Sequence, residues 1–172
     1  MKMALLALLF TLLLSSFDAV AQHESGHHWR VSAVMSHTMI PTETAEGATT
    51  LFIPSWGLDL EYWFNEHWAI GLHNDLELET FEVERNNNEF IRRQFPVVVT
   101  ADALWMPTKR WVLLAGPGLE FDPRNTLKVF RVGVEYEYHL PDHWDIAPAF
   151  YYDFRVNAFD TYSIGVGLGK RF

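Results

Sequence analysis

The sequence has no cysteine among its 172 residues. A disulfide framework, a thiolate nucleophile and an anchor through a lipidated cysteine are therefore all closed to it. Its stability must come from packing, or from hydrogen bonding in a closed structure. Basic residues are scarce, with 13 Lys and Arg against 22 Asp and Glu. The formal net charge of −9 argues against nucleic acid as a partner. Apolar runs beyond the first, Ala4 to Leu14, never approach the length of a spanning helix, which excludes a helical membrane protein.

That first run belongs to a recognisable leader. Lys2 gives a positive start, and Ala19-Val20-Ala21 supplies the small-x-small pattern of a cleavage site. This is the layout of a secretory signal peptide, and its apolar run is too short to cross a bilayer. The expected organisation is a signal peptide over 1–21, a short periplasmic tail over 22–28 and one domain over 29–172.

Aromatic residues, by contrast, are plentiful at 15%, with seven tryptophans. Two of these close a repeated phrase. EYWFNEHWAI at 61–70 and EYHLPDHWDI at 137–146 share Glu, Tyr, His, Trp and Ile in the same order. The flanks alternate with a period of two: Phe130, Val132, Val134, Tyr136, Tyr138 and Leu140 on one face, Arg131, Gly133, Glu135, Glu137 and His139 on the other. Such alternation marks a strand with one apolar and one polar face, and Pro141-Asp142-His143 marks a tight turn. The repeat is a β-hairpin. A third hairpin turns through Pro107 to Arg110.

The same reading along the chain predicts eight strands, at about 29–40, 51–64, 68–80, 95–106, 111–121, 129–140, 144–155 and 161–172. Each is long enough to cross a bilayer obliquely, which takes about 9–11 residues. Short turns at 65–67, 107–110 and 141–143 alternate with longer polar loops at 41–50, 81–94, 122–128 and 156–160, the pattern of a transmembrane barrel. Trp29, Trp68, Trp105, Trp111 and Trp144 fall at strand ends on the short-turn side and predict an aromatic girdle. Trp63 sits at that level too but has inward parity. A soluble barrel or sandwich is the alternative, and it would leave a Gly- and Ala-rich face in water.

With these features the chain resembles small eight-stranded outer-membrane β-barrels of Gram-negative bacteria, the class of the OmpA transmembrane domain, OmpX and OmpW. The resemblance rests on the leader, the alternating strands, the porin-like hairpin from Leu51 to Leu78 and the ending IGVGLGKRF. It implies an all-β, antiparallel up-and-down barrel, with outer-membrane lipid as its surroundings. It also implies that the terminal Phe172 is the signal read transiently by the barrel-assembly machinery. Pro117 and Pro148 depart from the pattern, because proline removes a ladder hydrogen bond; bulges or shifted strand boundaries are expected there.

An eight-stranded barrel is filled by its own side chains, so no wide pore is expected. The inward set comprises Asp59, Glu61, Asp75, Glu77, Glu79, Asp102, Glu120, Glu135, Glu137, Asp145 and Asp153. Facing them are Arg30, Arg131, Arg155, Arg171, His73 and His139. Hairpin register sets Asp59 opposite His73, His139 opposite Asp145 and Arg131 opposite Asp153. Two readings stay open, a hydrated polar plug and a narrow cation path.

Catalysis is not expected. Ser36, His37 and Thr38 are the nearest to a nucleophile and base, but parity turns His37 outward and the hydroxyls inward. His23, His27 and His28 could hold a metal, yet Glu24 is the only acid nearby and a solvated tail is the plainer reading. No cofactor or metal is expected, and the ligand or protein partner of the outer loops is left open.

Overall fold

The computed structural model of the protein describes residues 26–44, 47–85 and 89–172. The expected leader and its expected cleavage point, with His23 and Glu24, lie outside those residues. The described chain forms an all-β, antiparallel closed barrel. Its strands are β1 (Trp29–Thr44), β2 (Gly47–Trp63), β3 (Trp68–Glu77), β4 (Thr80–Arg85), β5 (Glu89–Gln94), β6 (Val97–Trp105), β7 (Trp111–Phe121), β8 (Thr126–Tyr136), β9 (Tyr138–His139), β10 (Trp144–Arg155) and β11 (Thr161–Arg171). β8 and β9 are one stave interrupted at Glu137, so the wall has eight staves. Each pairs with its sequence neighbour, and β11 returns to β1 to close the ring.

Two expected loops carry strand instead. The ladder between β1 and β2 continues through Pro41 opposite Thr50 to Thr44 opposite Gly47. The apolar–polar alternation stops there, but Thr42, Thr49 and Thr50 are β-branched and suit an extended backbone. The expected loop at 81–94 is a separate hairpin, β4–β5. Its register sets Phe81 opposite Arg93 and Val83 opposite Ile91.

The two prolines produce neither bulge nor shifted boundary. Thr100 pairs with Gly118 and Ala103 with Ala115, so two rungs beside Pro117 are missing while the register is kept. Across from Pro148 the ladder likewise lapses at Glu137 and resumes unchanged, Ile146 pairing with Tyr138 and Ala149 with Glu135. Each proline costs hydrogen bonds locally. Gly116 and Gly118 let β7 close onto β6: a Cβ on Gly116 would lie 2.0 Å from the Ala101 carbonyl oxygen.

Burial alternates along every stave, and its sense is inverted relative to a water-soluble protein. Met35, Leu58, Ile70, Phe150 and Ile164 point outward and are exposed, while Arg30, Glu61, Arg131 and Glu137 point inward and are buried. In water each such exposed side chain would forgo about 1.5–3 kcal/mol of burial.

Candidate functional site

The lumen is the chemically distinctive part of the molecule. Period-two alternation turns every second side chain inward, many of them polar, and antiparallel register stacks them across the barrel. Three guanidinium centres follow the axis from the short-turn end to the long-loop end.

At the short-turn end Arg30 of β1 donates from Nε to Asp145 Oδ2 at 3.0 Å and from Nη2 to Oδ1 at 2.7 Å. It also pairs with Glu61 and lies within 4 Å of Glu135 and Glu137. Arg171 donates to both oxygens of Glu137, at 2.8 and 2.6 Å, and its guanidinium lies 4.7 Å from the Trp63 ring centroid. Trp63 is buried, as its parity requires, and its indole N–H donates to Glu61 at 2.8 Å.

In the middle Arg131 of β8 faces Asp153 of β10. Two hydrogen bonds join them, at 2.7 and 2.9 Å, and Arg131 Nη2 reaches Asp75 at 2.7 Å. The Arg131 guanidinium lies 4.9 Å from the Tyr151 ring, whose hydroxyl donates to Glu135 at 2.7 Å. His73 Nδ1 is 3.0 Å from Asp102, and Thr100 donates to the same carboxylate at 2.6 Å. Leu60 opposite Leu72 and Gly57 opposite Asp75 bracket Asp59 against His73, and Asn74 N donates to Asp59 at 3.3 Å.

At the long-loop end Arg155 pairs with Glu120, donates to Thr161 at 2.6 Å and lies 3.6 Å from Glu77. Arg93 of β5 comes down onto the same Glu120, donating from Nε at 2.8 Å. Glu120 thus bridges the wall to the β4–β5 hairpin.

Apolar layers bound this polar column. Phe81 and Val83 of β4 pack among Ile40, Ile53, Leu127 and Phe159, which come from opposite sides of the wall. The hairpin is therefore folded across the mouth. It re-enters the wall through Phe95, whose φ of 45° is rarely adopted by a bulky residue, and Pro96. Asp122 accepts the Gln94 amide at 2.6 Å. Partial burial acts to raise the Asp122 pKa, but backbone donors Gln94, Arg124 and Asn125 and the Arg93 charge outweigh it and hold the carboxyl below the usual carboxylate range. At the other end Trp63, Leu104, Met106, Val112, Leu114 and Tyr151 fill the lumen.

The inward residues expected from parity, Asp59, Glu61, His73, Asp75, Asp102, Arg131, Glu135, Glu137 and Asp153, are all buried in this column. Two others are not. Glu79 is exposed, because β3 ends at Glu77 and Glu79 sits in the bend that leads into β4. The His139 side chain is 47% exposed, since β9 sits at the rim; its ring reaches back to Glu137 at 3.1 Å. Arg93 was hidden from parity counting by its place in an apparent loop. Its signal is the short alternation Phe81, Val83, which carries over the hairpin to Ile91 and Arg93.

The five expected girdle tryptophans point outward, between 38% and 51% exposed, at one end of the barrel. Trp68 stacks on Trp105 with centroids 6.0 Å apart, and Trp111 meets Tyr136 edge-on at 5.0 Å. His37 is exposed while Ser36 and Thr38 are buried, their hydroxyls bonded to Ser55 and Ser163. His28 Nδ1 lies 2.9 Å from the Trp63 carbonyl, and the His27 ring meets His143 at a tilt, with centroids 4.0 Å apart. Among the described residues no group of three or more His, Cys, Asp or Glu is placed to hold a metal ion.

No family model matches the chain, and no curated protein matches its sequence. Its fold does have solved counterparts. Ail, the attachment invasion locus protein of Yersinia pestis, in complex with the heparin analogue sucrose octasulfate, is 14% identical with a TM-score of 0.59; the match covers 86% of this chain and 100% of that one. The N-terminal β-barrel domain of Pseudomonas aeruginosa OprF is 11% identical with a TM-score of 0.55, over 85% and 99% of the two chains. Neisserial surface protein A is 14% identical with a TM-score of 0.55, over 88% and 100%. The chain shares the fold of these small barrels.

Proposed function

We propose that the chain is an integral outer-membrane barrel without a wide pore, exported behind a cleaved leader, whose role is structural or exercised through its outer loops. The observation that carries this reading is the inverted surface: a largely apolar outer face, interrupted by His37 and Asn74, on a closed wall, edged at one end by tryptophan, around a charged and filled interior. Only hydrocarbon makes such a surface favourable, and only a closed ladder leaves no unpaired edge in it. The short turns and both termini then face the periplasm, and the β4–β5 hairpin faces outward.

Within this reading the ion-pair column is a plug that fixes the barrel's shape, and the protein is not an enzyme. It acts on membrane integrity, or binds a partner at the rim made by the outer loops. A narrow cation conduit is the second reading. It is favoured by one observation: Asp59 and Asp102 are buried in the lumen with no guanidinium among their described ion-pair partners. Such a path would require the β4–β5 hairpin to move.

Cell fractionation tests the placement. The protein is expected to pellet with outer membranes and to resist extraction by alkaline carbonate and by high salt. Release by either without detergent would contradict the reading and favour a soluble periplasmic barrel.

A further inference from the structure

The three short turns differ in charge. Asn65-Glu66-His67 and Pro141-Asp142-His143 each carry an acid, whereas Pro107-Thr108-Lys109-Arg110 carries two bases and none. The Arg110 side chain does not extend away from the barrel end. Its Nη1 donates to the Tyr136 hydroxyl at 2.8 Å, and the guanidinium lies 5.9 Å from the ring centroids of both Tyr136 and Tyr138. The Glu137 amide donates to the Arg110 carbonyl at 2.7 Å and ties the turn to the wall. Tyr136 and Tyr138 are outward-facing by parity, as is Trp111 beside them. The cation is thus laid along the lipid-facing side, at the depth of the girdle.

Arg110 is exposed, and its ion partner is absent from the described residues: no carboxylate lies within 4 Å. One of its five N–H donors is taken by Tyr136, leaving a fork free to hold an oxyanion in two-point fashion. The rings of Tyr138 and Trp111 border the same patch. At this depth in a bilayer the available oxyanion is a lipid phosphate.

We propose that Lys109 and Arg110, with Tyr136 and Tyr138, form a binding site for the phosphate of an anionic phospholipid in the inner leaflet. A zwitterionic headgroup brings its own cation to the phosphate and competes with the arginine. An anionic headgroup of the phosphatidylglycerol type does not, and its hydroxyls match the tyrosines. The site rests on the membrane placement argued above.

The test uses the mature protein in nanodiscs of mixed phosphatidylglycerol and phosphatidylcholine, with retained lipid counted by native mass spectrometry. The wild type is expected to retain phosphatidylglycerol preferentially. A Lys109→Gln/Arg110→Gln variant should lose that preference by about fivefold per charge removed. An Arg92→Gln/Arg124→Gln variant, altered at the opposite rim, should keep it. Heat-modifiable migration on a gel verifies that each variant is folded. Equal retention by the wild type and the Lys109/Arg110 variant overturns the site. Displacement of the lipid by inorganic phosphate overturns it as a lipid site and leaves a plain phosphate site. A folded protein that stays in solution and will not enter nanodiscs overturns the membrane placement and the site together; insertion without lipid preference overturns the site alone.

Discussion

Trp29 and Phe172 exchange both backbone hydrogen bonds, Trp29 N donating to Phe172 O at 3.2 Å and Phe172 N to Trp29 O at 2.8 Å. This pair is the last rung of the seam between β1 and β11, and it closes the barrel at the girdle end.

Deleting Phe172 removes that rung and one half-exposed ring, at most a few kcal/mol of burial. The remaining register from Arg30–Arg171 to Met39–Tyr162 holds the seam. The expected phenotype is kinetic. Little truncated protein should reach the outer membrane in cells, while the purified chain folds near-normally into detergent micelles. Heat-modifiable migration reports both. Normal folded levels in cells would contradict an assembly-signal role for Phe172, and failure in both settings would make the residue part of the fold itself.

Arg131 is the middle of the polar column, shared between Asp153 and Asp75. Arg131→Met leaves two carboxylates buried without their cation. The expected loss of unfolding free energy is roughly 3–5 kcal/mol. Adding Asp75→Leu and Asp153→Leu should recover most of it, because a packed apolar cluster substitutes for a buried ion pair. Urea unfolding in micelles, followed by tryptophan fluorescence, measures both.

The hairpin across the mouth is pinned by Arg93 on Glu120 and by the Gln94 amide on Asp122. Hydrogen bonds to charged groups contribute about 1.5–3 kcal/mol, so Arg93→Ala should speed amide exchange of Val83 and Ile91 by roughly ten- to a hundredfold. Amides of Leu58 and Leu60 in the wall should be unaffected. Unchanged exchange at Val83 would mean the apolar layer alone holds the hairpin.

How much of this was legible in the sequence differs between wall and lid. Residues such as Asp153 and Arg131 could be placed opposite each other because a two-residue period and a tight turn fix the register of a hairpin. The β4–β5 hairpin was not legible. Its inward face has only Phe81 and Val83 before Asn86-Asn87-Asn88 in the sequence, and Ile91 and Arg93 after them, too short a pattern to distinguish from a polar loop. Arg93, which joins that hairpin to the lumen, was therefore missed. Pro117 misled for a different reason: the sequence announces a lost N–H, but not that Gly116 and Gly118 let the strands stay in register around it.

That glycine-dependent contact gives a further test. A Cβ at Gly116 meets the Ala101 carbonyl oxygen at 2.0 Å and the Ala101 carbonyl carbon at 2.7 Å, both backbone atoms that cannot rotate away. Gly116→Val should destabilise the barrel by about 1–3 kcal/mol in the same urea assay. Gly26→Ala, where a Cβ has no atom within 4 Å, should change nothing.

The central claim is that the barrel spans the membrane and is sealed by its own side chains. Planar-bilayer recording of the mature wild-type protein tests it most directly, once insertion is verified by protease protection. The expected trace is indistinguishable from the bare bilayer. A steady ohmic current that scales with inserted protein would contradict the sealed lumen, and selectivity of that current for cations would establish the conduit in its place.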